Sequence, residues 1–134
     1  MAGGLSFWRA LAPHFLSLLR IVTGLLFLQH GTAKILGFPP SEMAGGVSLS
    51  LPGLSGVFEL VGGALIVVGL FTRPVAFILS GMMAVAYFMA HAPQNFYPLL
   101  NGGELAVLYC FVFFYLSAAG GGPWSLDRGI RKVG

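Results

Sequence analysis

The chain has 134 residues, of which 57% are hydrophobic and only 8% are charged, against roughly 25% charged in an ordinary soluble domain. So little polar surface cannot cover a water-soluble globule, and the length allows a single compact unit. The net charge of +3 comes from scattered or terminal basic residues. No basic stripe interleaves with aromatics, which argues against a nucleic-acid partner.

Four apolar stretches follow one another along the chain. The first covers about 13–36. Arg20 interrupts it and no small-residue cleavage site closes a short apolar core, so it reads as a retained helix and not as a signal peptide. Gly37-Phe38-Pro39-Pro40 ends it. The second stretch covers about 54–71 and stops at Thr72-Arg73-Pro74, where Pro74 fits the first turn of the next helix because its missing donor costs nothing there. The third runs over about 74–91, before a break at 92–101 with two prolines. The fourth covers about 103–119, closed by Gly120-Gly121-Gly122-Pro123, and 120–134 reads as a cytoplasmic tail. A span takes about 20 apolar residues and at least about 17, so the last three need a thin membrane or borrowed flanking residues. Stretches that are apolar all round do not suit a soluble bundle. The predicted fold is therefore all-α: one integral membrane domain over 1–134, a four-helix bundle threaded up-down-up-down.

Basic residues orient it. With four spans the amino terminus, the Thr72 turn and the tail share one side, which holds Arg9, Arg73, Arg128, Arg131 and Lys132. The opposite loops hold only Glu42, with Lys34 at their edge. The positive-inside rule then places both termini in the cytoplasm. Cys110 is the single cysteine, so no intramolecular disulfide forms.

Ionisable groups inside hydrocarbon are costly and face protein or water. Here they are Arg20, His30 and Lys34 on the first stretch, Glu59 on the second, His91 on the third and Glu104 on the fourth. Up-and-down threading gathers all but Arg20 in the outer half of the bundle. His30 and Lys34 are four apart and share a face, as do Tyr87 and His91. Arg20, Phe27 and Lys34 recur every seven residues; Glu104, Leu108, Phe111 and Tyr115 line one face of the fourth helix. Plainer roles exist for each group. Lys34 and Arg20 can snorkel to opposite interfaces, Glu104 can sit at a helix amino terminus stabilised by the backbone dipole, and the histidines can be satisfied interface residues. Glu59 is different: deep in an apolar segment, it needs protonation or a partner, with Lys34 or a histidine nearest to hand.

Gly24 and Gly31, Gly56 and Gly63, and Gly62 and Gly69 repeat at seven-residue spacing, which reads as close helix packing. Met82, Met83, Tyr109 and Tyr115 form aromatic and sulfur-bearing surface on the last two stretches, read as core or lipid contact. No phosphate-binding glycine loop, Cys-x-x-Cys, nucleophile elbow or HExxH occurs. Paired membrane histidines can ligate haem iron, but His30 and His91 lie near helix ends, so haem is disfavoured, as is a metal held by the glutamates and histidines.

These residues resemble the DoxX family of small bacterial membrane proteins. The matching pieces are Arg20-x3-Gly24-x2-Phe27-x2-His30-Gly31-x2-Lys34, then Glu59-x2-Gly62-Gly63, Gly69 and Thr72-Arg73, then His91, Gly102-Gly103-Glu104 and Gly122-Pro123-Trp124-Ser125-Leu126-Asp127. They span about 18–128. The 37–53 segment departs from the pattern, being short and rich in Gly, Ser and Pro where relatives carry a fuller amphipathic stretch. The resemblance implies a four-helix fold in the inner (plasma) membrane of a bacterium. It also implies kinship with membrane subunits linked to thiosulfate:quinone oxidoreduction, and with partners of soluble redox enzymes. The leading expectation is a quinone-linked redox subunit. Glu59, His30, His91 and Glu104 then handle protons, Lys34, Tyr87 and Arg20 bind the cofactor, and electrons come from a soluble or membrane partner subunit. The competing expectation is a scaffold or assembly factor whose polar cluster only locks the helices together. A transport role ranks third, since four helices make a thin pore and the chain would need to form a homo-oligomer.

Overall fold

Glycines, prolines and a few side-chain caps set the helix ends. The computed structural model describes residues 2–41, 45–46 and 50–132. A short helix α1 (Ala2–Ala10) leads through Leu11 into α2 (Ala12–Leu36), and the two form one apolar rod from Gly3 to Leu36. Pro13 lies in the first turn of α2, where its fixed φ suits the helix. Ser50 caps α3 (Leu51–Val68), its hydroxyl accepting from the Gly53 amide at 3.2 Å. The helix stops at Gly69, whose φ of +72° suits a residue without a side chain. A two-residue link leads into α4 (Thr72–Ala86), prolonged by a π-helical turn at Tyr87–His91 and a tight turn at Ala92–Gln94. The short α5 (Pro98–Asn101) and the longer α6 (Glu104–Ala119) follow. Among the described residues no strand occurs.

Among the described residues three helical runs are long and apolar enough to cross a membrane: Gly3–Leu36, Leu51–Val68 and Thr72–Gln94. The third gains its length because helical winding continues past His91 to Gln94, so it no longer falls short. Only α6, with 16 residues, stays below the usual span. The second run starts and stops three residues earlier than the sequence suggests, displaced by the Ser50 cap and the Gly69 stop. Glu42, with its loop neighbours 43–44 and 47–49, lies outside the described residues, so the charge assigned to that loop has no structural counterpart here.

Glycine brings α2 and α3 together in antiparallel register. Gly24 faces Ile66 and Val67, Gly63 faces Leu28, Gly31 faces Glu59 and Leu60, and Gly56 faces Lys34 and Ile35. Close backbone approach of this kind lets dispersion and polar contacts hold helices where lipid removes the hydrophobic drive. The α4 and α6 pair is also antiparallel: the Ser80 hydroxyl donates to the Cys110 carbonyl at 2.7 Å and Arg73 donates to the Ala118 carbonyl. Gly62 against Leu79 links α3 to α4. The core is Phe27, Ile66, Ala76, Leu79, Met83, Tyr109, Phe113 and Leu116, with the Phe27 ring edge-on to Phe113 at 4.9 Å and to Tyr109 at 5.2 Å.

Large apolar side chains such as Leu18, Leu25, Phe58, Val61, Phe77, Ile78, Leu108 and Phe111 point outward. Arg20 and Glu59 are buried. A surface this apolar around charged interior groups is the arrangement a bilayer requires. The face of α6 that carries Glu104, Leu108, Phe111 and Tyr115 belongs to this exposed surface. The core face is instead Tyr109, Phe113 and Leu116.

Candidate functional site

One end of the bundle holds a chamber of about 710 Å³ between α2, α3, α4 with its π-turn, and α6. Helical spacing delivers its polar wall. His30 and Lys34 come from the last two turns of α2, and Glu59 from the facing turn of α3. Lys34 Nζ lies 2.8 Å from Glu59 Oε1 and 3.1 Å from Ser55 Oγ, while the Ser55 hydroxyl donates to the Pro52 carbonyl at 3.1 Å. Glu59, 4% exposed, thus has the cationic partner that burial demands. Its second oxygen, Oε2, is buried with no hydrogen-bond partner, and so is the Tyr109 hydroxyl from α6. Both residues line the chamber, and the His30 ring stands edge-on to Tyr109 at 6.2 Å. The remaining wall is largely apolar, with Phe27, Phe58, Met82, Met83 and Met89.

The π-turn supplies His91. Its Nδ1 lies 3.1 Å from the Asn101 carbonyl. A carbonyl only accepts, so Nδ1 carries the proton and Nε2 of the neutral ring is an acceptor. Tyr87 stacks on His91 with centroids 6.3 Å apart. It does not line the chamber; its hydroxyl accepts from Asn101 Nδ2 at 3.1 Å. Asn101, 4% exposed, also donates to the Asn95 carbonyl and accepts from the Gly103 amide. It ties the 95–103 loop behind His91. Glu104 opens α6, is exposed, and lies outside the chamber wall. Among the described residues no three His, Cys, Asp or Glu side chains converge as a ligand set for a metal.

Of the seven site residues expected from sequence, His30, Lys34, Glu59 and His91 come together in one wall. Arg20 lies at the opposite end of the bundle. Its fully buried guanidinium donates to the Gly121 carbonyl, to the Trp124 carbonyl at 2.6 Å and to the Val67 carbonyl at 3.4 Å. The Ser17 hydroxyl also donates to Gly121 and accepts from the Trp124 amide at 3.1 Å. Residues 120–131, read from sequence as tail, are thereby folded back onto the bundle. Asp127, 4% exposed, accepts from the Phe71 and Thr72 amides at 2.7 and 2.8 Å. It caps α4 from 55 residues away and holds Phe71 at φ +54°, a left-handed conformation that side chains disfavour. Arg131 bonds Asp127 at 3.2 Å and stacks over the Phe71 ring at 4.2 Å.

Sequence reasoning named Tyr109 only as core or lipid contact and Asp127 only within the closing motif, and it passed over Asn101 and Ser17. Tyr109 had a signal: with Phe113 and Leu116 it follows the i, i+4, i+7 rhythm of a core-facing stripe. Ser17 and Asp127 depend on partners far away in the chain, whereas Asn101 bonds to residues of its own loop and of the preceding π-turn. For Asp127, burial pushes the carboxyl pKa up, but hydrogen bonds from the Thr72 and Phe71 amides and from Arg131 outweigh it and hold the pKa below the usual carboxylate value. A depressed folded pKa means the stabilisation is full above the unfolded value of about 3.9 and is lost as pH falls below it toward the folded pKa. Proteolysis of the 120–131 segment in detergent is therefore expected to accelerate as pH falls below about 4. Asp127→Asn should abolish that pH step, and a step that survives in this variant would show that another group is responsible.

A family model described as DoxX matches residues 15–92. That range includes Arg20, His30, Lys34, Glu59 and His91, and ends before the wall contributed by α6. An uncharacterised protein of Haemophilus influenzae is 48% identical over 125 residues, covering 90% of this chain and 93% of its own length. An uncharacterised membrane protein of Mycobacterium tuberculosis is 26% identical over 132 residues, covering 85% of this chain and 80% of its own. No solved structure matches.

Proposed function

The chain belongs to the DoxX family, and from that premise we propose that it is a multi-pass redox subunit of a bacterial inner membrane, with a quinone site in the α2–α3–α4–α6 chamber. The observation that carries this reading is one apolar chamber walled by a Lys34–Glu59 pair and two buried polar atoms without partners, Glu59 Oε2 and Tyr109 OH. Small-molecule sites have this make-up: a largely apolar cavity of about 300–1,000 Å³ with a few polar groups that fix orientation. The residues present suit a planar ring with oxygen substituents and an apolar tail. Such a quinone supplies a couple that takes up two electrons and two protons. Lys34 orients Glu59 through the 2.8 Å contact. His91, held by Asn101, and His30 serve as proton carriers in this reading. Glu104, exposed at the start of α6, is the exit toward water in this reading. Electrons come from a partner subunit, since the chain carries no motif for a redox cofactor of its own.

Glu59→Gln is expected to lower quinone-linked turnover of the native complex about a hundredfold, the usual loss when an acid–base group is removed. Absorbance of the quinone couple in membranes, with mass spectrometry of the purified protein, checks it. Protein that retains no quinone, together with full turnover in Glu59→Gln, ends this reading. A scaffold role is the second reading, because the same Lys34–Glu59 pair bridges α2 and α3 directly. A buried ion pair can often be exchanged for apolar residues without loss of fold. The double variant Lys34→Met, Glu59→Leu separates the two: a folded bundle with full turnover favours the scaffold.

The accompanying orientation is up-down-up-down with both termini cytoplasmic. Its support is the collection of basic residues at the Arg20 end, where Arg73 meets Ala118 and Arg131 meets Asp127. In a Cys110→Ala background, Leu99→Cys should label with an impermeant thiol reagent applied to intact cells, and Lys132→Cys only after lysis. The reverse pattern would invert the assignment.

A further inference from the structure

The rod formed by α1 and α2 is longer than the membrane that its neighbour α3 fits. Its 34 residues from Gly3 to Leu36 extend about 51 Å at 1.5 Å per residue. The 18 residues of α3 extend about 27 Å, close to a hydrocarbon core of roughly 30 Å. Tilting the whole rod into that core would take about 54°, and spanning helices tilt by at most about 40°. The surplus lies at one end. Gly24 faces Val67, Gly31 faces Leu60 and Gly69 meets Arg20, so α3 stops level with Arg20 and the earlier part of the rod continues past it. The 120–131 segment covers Pro13 to Ser17 of that extension, with Gly122 against the Pro13 carbonyl and Ser17, and Trp124 against His14. Further out, every residue from Gly3 to Ala10 is exposed, Leu5, Phe7 and Trp8 by 60% or more.

These side chains are sorted around the helix. At about 100° per residue, Leu5, Phe7, Trp8 and Leu11 fall within an arc of about 160°, while Ser6, Arg9 and Ala10 fall outside it. The same arc continues down α2 through Phe15, Leu18, Leu19, Val22, Leu25 and Leu26, all exposed. The Trp8 ring meets Phe15 at 5.8 Å. The stripe on α1 is thus the lipid-facing stripe of α2 carried past the end of the bundle. Between the two helices the winding is interrupted. The Leu11 amide donates to the Trp8 carbonyl, three residues back, at 3.1 Å, and Pro13 has no amide to offer the Arg9 carbonyl. The proline ring lies on the side opposite the stripe. Its clash with that carbonyl opens the proline side and bends the rod toward the stripe.

We propose that α1 turns at Leu11–Pro13 and lies in the headgroup layer of the leaflet at the Arg20 end. Leu5, Phe7 and Trp8 enter the acyl boundary, and Arg9 stays among the phosphates. A bend in that direction lays the stripe onto the lipid that α2 already contacts. Charge at that end suits phospholipid, since Arg9, Arg128 and Lys132 are exposed there. One bulky apolar face and a polar, basic one is the make-up of helices that lie on a membrane and do not cross it. The anchor lies at the end of the bundle away from the Lys34–Glu59 chamber and outside the family match, which begins at residue 15, so it holds whatever the chamber binds.

The test uses the full chain with Cys110→Ala in liposomes of phosphatidylcholine and phosphatidylglycerol. Nitroxide labels are placed singly through Leu5→Cys, Ser6→Cys, Trp8→Cys and Ala10→Cys. Collisions with oxygen, which partitions into lipid, are compared with those of a water-soluble nickel chelate. The oxygen-to-nickel ratio is expected to be high at residues 5 and 8 and low at 6 and 10, following the helical period. A nitroxide pair at residues 5 and 26 should lie well inside the about 32 Å that a straight helix of that length gives. A label-free measurement stands beside these. The chain has two tryptophans, so Trp124→Phe leaves Trp8 as the reporter. Its fluorescence should be quenched more by lipids brominated near the headgroup than by lipids brominated at the chain end, and little by aqueous acrylamide. High nickel access at all four labels would mean that α1 projects into water. Protection from both reagents would mean that protein, a second copy or a partner, covers it. Either result, a pair distance of the straight rod, or Trp8 quenched best at the bilayer centre overturns the anchor.

Discussion

Arg20→Ala is expected to remove about 3–5 kcal/mol of stability, since each buried carbonyl left without its donor costs roughly 1–3 kcal/mol. Arg20 is fully buried within an apolar span, and its guanidinium joins two distant parts of the chain, serving the Val67 carbonyl of α3 and the Gly121 and Trp124 carbonyls of the 120–131 segment. Deleting it orphans those carbonyls in a place water does not readily reach, and each orphan carries a desolvation cost. The segment that Arg20 holds also carries Asp127, so the cap on α4 and the left-handed Phe71 link lose their support together. Thermal unfolding in detergent should show a lowered midpoint, and limited proteolysis should cut first within 120–131. Arg20→Lys should fall between, because one ammonium cannot reproduce a planar fork of donors. A wild-type midpoint for Arg20→Ala would mean that the carboxy-terminal segment is held by apolar contact alone.

The second large effect lies at the α2–α3 seam. Gly31→Ala is expected to cost about 3 kcal/mol, the upper range for overpacking a tight core. A β-carbon at residue 31 would stand 2.7 Å from the Leu60 α-carbon and 2.8 Å from the Glu59 carbonyl carbon, and closer still to the Leu60 nitrogen. These neighbours are backbone and cannot rotate aside, so the helices must separate. Separation there pulls Glu59 away from Lys34, one turn beyond Gly31 on α2. The variant should therefore lose ring-ligand affinity along with stability. Gly81→Ala is the control: nothing lies within 4 Å of the added carbon. Relief of glycine's conformational entropy in mid-helix should leave it as stable as wild type or slightly more so, by up to about 1 kcal/mol. Equal behaviour of the two variants would show that the seam is not closely packed.

The two polar centres explain why a chain with so few charges keeps some of them buried. At one end Arg20 directs its terminal N–H groups to three backbone carbonyls while its Nε–H stays buried without a partner. At the other, Lys34 and Glu59 satisfy each other only in part, because one carboxylate oxygen stays unmatched. In the binding-site reading proposed above, the Lys34–Glu59 end is the one a ligand completes, and the π-turn at Tyr87–His91 brings His91 to its wall. Such turns occur often at functional sites because they reorient one side chain within an otherwise regular helix.

Several features were legible in the sequence because the bilayer imposes them locally. Apolar length and composition announce membrane helices, glycines seven apart announce a close seam, and a glutamate within an apolar run announces a partner. Spacing of four put His30 and Lys34 on one face, and the structure brings both to the chamber with Glu59 and His91. Whether Glu59 would find Lys34 or a histidine was left open by the sequence, and the antiparallel register decided it.

Other features belong to tertiary structure alone. Arg20 looked like one more member of a polar line on its helix, yet its partner Gly121 is 101 residues away, a distance across which no helical period carries information. Asp127 looked like part of a tail, and only folding back makes it the cap of α4. Glu104 and Tyr109 are five apart on one helix, and the direction in which α6 packs turned Tyr109 to the chamber and left Glu104 exposed. Hydropathy is a property each residue carries by itself, so the spans could be read in order. Hydrogen-bond satisfaction is a property of pairs, and the pairs form only when distant helices meet.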